Sequence, residues 1–439
     1  ITGMHEKEFE KNNLPELERF LRAHYNHPSV VMWCLGNEVS HRNDPAIVRQ
    51  LAKQSALTRR IDRQKRPLCA FAANGNVDSY GRSYIDTDVV DLHLYGDHPE
   101  YPGRPWQPPA RFGNRSQLAR RLKAPLELAP ARLFGKPFMV TEFDICYPNE
   151  FRSEGAVLFG AFAAQQGWSG LFRFDYAGHH RGLFGKPDLR CFETAHDPVR
   201  MLSERIGLAA FLRGDVAAAR EKFEIAVAPD CMGSYLPTYP DEYEQLALHG
   251  RVGTVLADAN AGPAAPGPVR PGELAADYAA GTFRMVTPRS EAAVLPEKQA
   301  LAGAVLRVRA ERSFATVAAI ALDDRPLAES DRILLLHLTD NRLEGMEFKS
   351  GHGLTIYRDG SGRMLGRKGT ASFALALPEK TWKLHALDCS GRRLAEIPFR
   401  REQGELRFTA DTFQVPDQVV FAYELTAQRR RNSARPVTR

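Results

Sequence analysis

Short apolar runs ending on polar or aromatic side chains alternate with helix-length stretches through the first 176 residues, and this alternation constrains the fold most. The runs close near Glu38, Ala72, Tyr95, Glu142 and Phe174. Strand and helix in regular succession imply a parallel sheet with helices outside it. Residues 7–24 predict a helix with Leu14, Leu17, Phe20 and Leu21 on one face and Pro15 near its first turn. Residues 44–63 predict a second, from Ile47, Leu51, Ala52, Leu57 and Ile61. A helix of small residues is expected over 152–166, and partial helix over 115–134. Residues 96–112, rich in Pro, Gly and aromatics, suit an active-site loop.

The first run is the most informative. It reads Asn26-His27-Pro28-Ser29-Val30-Val31-Met32-Trp33-Cys34-Leu35-Gly36-Asn37-Glu38. Pro28 disfavours helix at His27. Val30–Leu35 is unbroken apolar sequence, as in a strand covered on both faces. Asn37 and Glu38 then project from the strand's carboxyl end, where parallel barrels carry catalytic groups. The plainer alternative makes Asn37 a helix cap and Glu38 a first-turn carboxylate.

At 439 residues, the chain is long enough for two or three domains. Its 43% hydrophobic and 26% charged residues are those of a globular protein, and no apolar stretch approaches the ~20 residues that span a bilayer. The net charge of +6 comes largely from Arg429, Arg430, Arg431, Arg435 and Arg439, so a disordered basic tail over 428–439 is expected rather than a nucleic-acid arm. Six cysteines without a CxxC pair argue against zinc and against a disulfide scaffold, and Cys34 is expected to be a small buried side chain.

Beyond residue 195 the pattern changes. Residues 196–222 predict an amphipathic helix closed by Arg213-Gly214-Asp215, where Gly214 serves as a helix stop. With the apolar segments at 223–228 and 251–257, it suggests a small α/β appendage over 196–260. Residues 261–300 are expected to be a linker, from the Gly, Pro and Ala density at 261–271. Short strands at 8–12 residue spacing from 301 to 427 predict a β-sandwich.

The run NHPSVVMWCLGNE resembles the acid/base motif of clan A glycoside hydrolases, most nearly glycoside hydrolase family 2, the β-galactosidase and β-glucuronidase family. The resemblance implies an α/β-plus-all-β chain: a (β/α)8 TIM barrel over residues 1–195, the small appendage, then the sandwich. In that family the acid/base lies on strand 4 and the nucleophile on strand 7. The five runs would then be strands 4 to 8, with strands 1 to 3 missing, so a carboxy-terminal fragment of a longer protein is expected. The resemblance makes Glu38 the general acid/base and gives Asn37 the sugar 2-hydroxyl. Lys136-Pro137-Phe138-Met139-Val140-Thr141-Glu142 resembles the nucleophile strand, making Glu142 the nucleophile.

Retention takes two carboxyl groups about 5–5.5 Å apart, so Glu38 and Glu142 are expected to approach within about 4–7 Å. Asp144 competes with Glu142 but falls outside the motif. His93 and Tyr95 occupy the strand-6 position, where the family holds the nucleophile or contacts sugar, though a structural His–Tyr pair fits equally. Strand 8 of the family offers a tryptophan platform; here Phe172 and Phe174 replace it, and Trp168 just before is the remaining candidate. Asp175, His179 and His180 are either substrate contacts or loop polarity, and they fit no metal-ligand spacing. No cofactor or metal is expected; the expected partner is a carbohydrate, with no nucleic acid or membrane. The competing reading is a non-catalytic carbohydrate-binding or assembly fragment.

Overall fold

The computed structural model describes residues 7–39, 44–69, 87–185, 189–231, 246–262 and 272–427. The first helix runs Lys7–His24 and holds Pro15 in its interior rather than in its first turn. It packs on the helix Pro45–Ile61, which Asp44 caps by accepting from the amides of Ala46 (2.8 Å) and Ile47 (3.3 Å).

Six strands organise the amino-terminal half: β1 (Trp33–Cys34), β2 (Leu68–Cys69), β3 (Val90–Gly96), β4 (Ala110–Phe112), β5 (Phe138–Ile145) and β6 (Gly170–Arg173). β1 pairs in parallel with β2, a parallel bridge Cys69–Val89 continues to β3, and β3, β5 and β6 pair in parallel. This is the one-directional array that the alternation predicts. β1 is shorter than expected, and it is not covered on both faces: Val31 is 73% exposed and Cys34 is exposed, because among the described residues β1 is paired only along its β2 edge. Buried Trp33 anchors it by donating its indole N–H to Asp62, 2.8 Å away at the end of the second helix.

The helix Gly155–Gln166 is buried along its whole length, consistent with its sequence GAVLFGAFAAQQ. One side covers the sheet and the other receives the helix Pro198–Ala210. Where the two helices cross, a Cβ on Gly160 would lie 2.6 Å from the Gly207 Cα, so only glycine permits this approach. The second helix is therefore an outer layer of the parallel array, not part of an appendage. The parallel pair Lys222–Val227 and Arg251–Leu256 joins it too, since the Gln166 side chain donates to the carbonyls of Ala247 (3.0 Å) and Gly250 (2.7 Å) and accepts from Val252 N–H (2.8 Å).

The carboxy-terminal half is antiparallel. Eight strands form one sheet and five another, and residues of both share one core, among them Val308, Ile333, Phe373, Leu384 and Leu406. The expected linker is corrected from residue 272 on, because Leu274–Asp277, Thr282–Val286 and Ser290–Leu295 are strands of the eight-stranded sheet and the last is wholly buried. Leu274–Asp277 and Ser290–Leu295 are rich in alanine, which carries little strand preference in sequence. The basic tail from 428 on lies outside the described residues.

Two of the contacts between the halves bear on the site's frame. The fully buried Arg152 pairs with Asp197 (2.7 Å) and with Asp340 of the antiparallel half, and donates to Asn341 Oδ1 (2.8 Å). The hairpin strands Glu347–Ser350 and Leu354–Arg358 add to β4, making a three-stranded sheet on the rim of the parallel array. A Cβ on Gly353 would lie 2.5 Å from the Phe112 carbonyl oxygen, which explains the glycine there.

Candidate active site

The carboxyl ends of β1, β3 and β5 converge. Past β1, Glu38 takes the left-handed region (φ 50°), a strained setting for a non-glycine residue. On β3, His93 and Tyr95 alternate onto one face. On β5 the register slips by one residue after Leu92–Val140, so that His93 lies opposite Glu142. This bulge at Thr141 re-aims Glu142, a common use of the feature beside functional groups.

The side chains meet at one nitrogen. His93 Nδ1 lies 3.0 Å from Oε1 of Glu38 and 3.1 Å from Oε2 of Glu142. Tyr95 donates its hydroxyl to the same Glu142 oxygen at 2.5 Å. One donor atom from each of Glu38, His93 and Glu142 can be chosen so that all lie within 4.8 Å of one another. His93 is buried, whereas the Glu142 side chain is 18% and that of Glu38 37% exposed, so the cluster opens toward Glu38. Burial first, and then the bond to Glu142, push the Tyr95 hydroxyl far above its ordinary range and keep it a donor. Chemically, this is a pair of adjacent carboxyl groups, Glu142 held by the Tyr95 hydroxyl and the more open Glu38 hydrogen-bonded to His93, an arrangement able to support proton transfer.

The other expected site residues fall as follows. Asn37 is exposed and precedes Glu38 directly. Trp168 is corrected: it is buried in the core, its ring centroid 5.3 Å from that of Phe138. It precedes β6 and so lies at the amino end of that strand, opposite the carboxyl ends that carry Glu38 and Glu142. Asp144 is fully buried and pairs with Arg173 and Arg200. The aromatic groups beside Tyr95 are Phe192 (5.0 Å between centroids), His98 (5.6 Å) and Phe174 (6.4 Å), with 65%-exposed Trp106 next to His98 and Phe192. Trp106, Phe174 and Phe192 line a cavity of about 550 Å3 with Asp175 and Glu193. Trp106 lies within the loop singled out in the sequence, but nothing local marks Phe192.

Glu38, His93 and Glu142 offer donors that could also hold a cation, and so do Cys34, Cys69 and Asp91, which lie equally close together. Cys34 and Cys69 are register partners across β1 and β2, so cysteines 35 positions apart in sequence are neighbours in space.

A one-directional strand array with helices outside and paired acids at its carboxyl end is the plan of TIM-barrel glycoside hydrolases. Residues 3–108 match the model of the TIM barrel domain of glycosyl hydrolases family 2, so the resemblance to a clan A, family 2-like glycoside hydrolase holds for that segment. Among solved structures, a Faecalibacterium prausnitzii β-glucuronidase is similar at 18% identity, over 45% of this chain and 35% of that one, with a TM-score of 0.31. A family 39 glycoside hydrolase from the gut symbiont Bacteroides cellulosilyticus is similar at 10% identity, over 96% and 62% of the two chains, with a TM-score of 0.35. A monomeric β-xylosidase from Caulobacter crescentus follows at 12% identity, over 95% and 74%, with a TM-score of 0.32. The chain thus spans about a third of the β-glucuronidase and 62% of the family 39 enzyme. No curated protein matches it.

Proposed function

We propose that the protein is a retaining β-glycosidase acting on oligo- or polysaccharides, with Glu38 as general acid/base and Glu142 as nucleophile. In this reading β1, β2, β3, β5 and β6 are barrel strands 4 to 8. The observation that carries it is the meeting of Glu38 and Glu142 at His93 Nδ1, with carboxyl oxygens within 4.8 Å of each other. That bound on one oxygen of each acid accords with the about 5–5.5 Å of double displacement better than with the roughly 6.5–9.5 Å of an inverting pair.

Glu142, held by Tyr95, attacks the anomeric carbon while Glu38, beside His93, protonates the departing oxygen. Glu38, now ionised, takes a proton from water as the glycosyl-enzyme is hydrolysed. In this reading Asn37 meets the 2-hydroxyl, and the aromatic cavity beside Tyr95 supplies the sugar-stacking faces.

The test is turnover of a panel of aryl β-glycosides by the full-length protein, with Glu38→Gln and Glu142→Gln beside it. Glu142→Gln should lose turnover. Glu38→Gln should lose about 10²–10⁴-fold in kcat/KM on a phenyl glycoside and far less in kcat/KM on a dinitrophenyl glycoside, whose leaving group needs no proton. If the wild type turns over nothing yet binds oligosaccharide, the non-catalytic carbohydrate-binding reading takes its place.

A further inference from the structure

A groove of about 830 Å3 runs outward from Tyr95, between the segment after β3 and the hairpin Glu347–Arg358. Arg111, Arg115 and Arg120 line it from one side and Lys349 from the other. Among the described residues, none of these four cations has a carboxylate within ion-pair distance. Other arginines of the chain are neutralised: Arg332 and Arg393 share Glu424, and Arg367 reaches both Glu150 and Asp340. Two carboxylates also line the groove, Asp97 and Glu100. Asp97 is already engaged by the amides of Gly113 and Asn114 and by the Asn149 side chain (2.7 Å). Like charges gathered in a concave wall repel one another and concentrate the field on whatever enters. Exposed Tyr357 adds an aromatic face to the same wall.

We propose that this groove binds the flanking units of an anionic polysaccharide, through carboxylate or sulfate groups held by Arg111, Arg115, Arg120 and Lys349. The inference rests on the glycosidase reading and adds the substrate class to it. The inner end of the groove fixes where the charge goes. Ionised Glu142, bonded to Tyr95 at that end, repels an anion, so the acidic groups belong on units further out, along the hairpin wall. A sugar chain suits the groove better than a nucleic acid, because an unbroken row of phosphodiesters would meet that carboxylate.

The test uses the full chain carrying Glu142→Gln, so that binding is read without turnover. Its probes are an oligogalacturonate, a sulfated carrageenan oligosaccharide, a neutral xylo-oligosaccharide and a single-stranded oligonucleotide. One of the two acidic saccharides should bind at least about tenfold more tightly than the neutral one, and which one separates carboxylate from sulfate recognition. That affinity should fall as salt rises from about 0.05 to about 0.5 M. Adding Arg120→Glu and Lys349→Glu should weaken it about tenfold or more with the unfolding midpoint unchanged. The exposed Lys349→Glu alone should weaken it in the same direction. Equal binding of the neutral saccharide, tighter binding of the oligonucleotide, or indifference to both substitutions overturns the proposal. Because these readouts are binding constants, a wild type without glycosidase activity would sink the catalytic reading and leave this test standing.

Discussion

Tyr95 donates its hydroxyl to Oε2 of Glu142 across 2.5 Å, on the same oxygen that faces His93 Nδ1. The bond joins adjacent parallel strands, and the slip in register between β3 and β5 brings the two residues together. A tyrosine hydroxyl in this position stabilises the charged carboxylate and fixes its rotamer. Tyr95→Phe removes one charge-assisted hydrogen bond, worth about 1.5–3 kcal/mol. Turnover of an aryl β-glycoside should drop roughly 10–100-fold in a protein that still folds. Steady-state kinetics beside a thermal melt checks this.

Glu154 predicts a pH dependence. It is fully buried and accepts from Ser116 Oγ (2.7 Å) and the Gln117 amide (2.5 Å), and burial, outweighing those two donors, lifts its carboxyl from an ordinary 4.5 to about 8. The folded state holds this proton where the unfolded chain has released it. The stabilisation is therefore complete below about pH 4.5 and is lost as pH rises through about 8. Denaturant unfolding of Glu154→Gln, measured from pH 5 to about 8.5, should show a flatter decline than wild type. Parallel slopes in the two proteins would refute it.

Arg152 carries the junction between the two halves. Its guanidinium is wholly buried between Asp197 and Asp340, and removing it leaves Asp197 to Arg200 and Asp340 to Arg367. Arg152→Met should cost about 1–3 kcal/mol, as expected for buried carboxylates that lose one charged hydrogen-bond donor and keep another. Urea unfolding of the full chain measures this; a loss below about 1 kcal/mol would mean that the junction is held by other contacts.

Much of the site was legible because its residues end runs that sequence marks clearly. The apolar run before Glu38 and the strand before Glu142 announce their own ends, and period-2 alternation puts His93 and Tyr95 on one face. The register slip at Thr141 leaves no such mark, and it decides that His93, not a neighbour, faces Glu142. Trp168 was misplaced because its proximity to β6 in sequence gives no sense of which end of the strand it joins. Strands such as Ser290–Leu295 were hidden by their alanines, whose size suits a tight two-sheet core but carries little strand preference. Arg152 was invisible for another reason. Its partners lie 45 and 188 positions away, and only the packed fold brings them together.

The central claim is the division of roles between Glu142 and Glu38, and azide tests it most directly. Glu142→Gly in the full-length protein, with a dinitrophenyl β-glycoside and added azide, should recover turnover and yield the glycosyl azide of inverted, α configuration. The small anion would occupy the space of the missing carboxylate and attack from its face. Glu38→Gly under the same conditions should yield the β azide, formed on the opposite face from an intact glycosyl-enzyme. The α azide from Glu38→Gly, or hydrolysis at the wild-type rate by Glu142→Gly, would contradict the assignment.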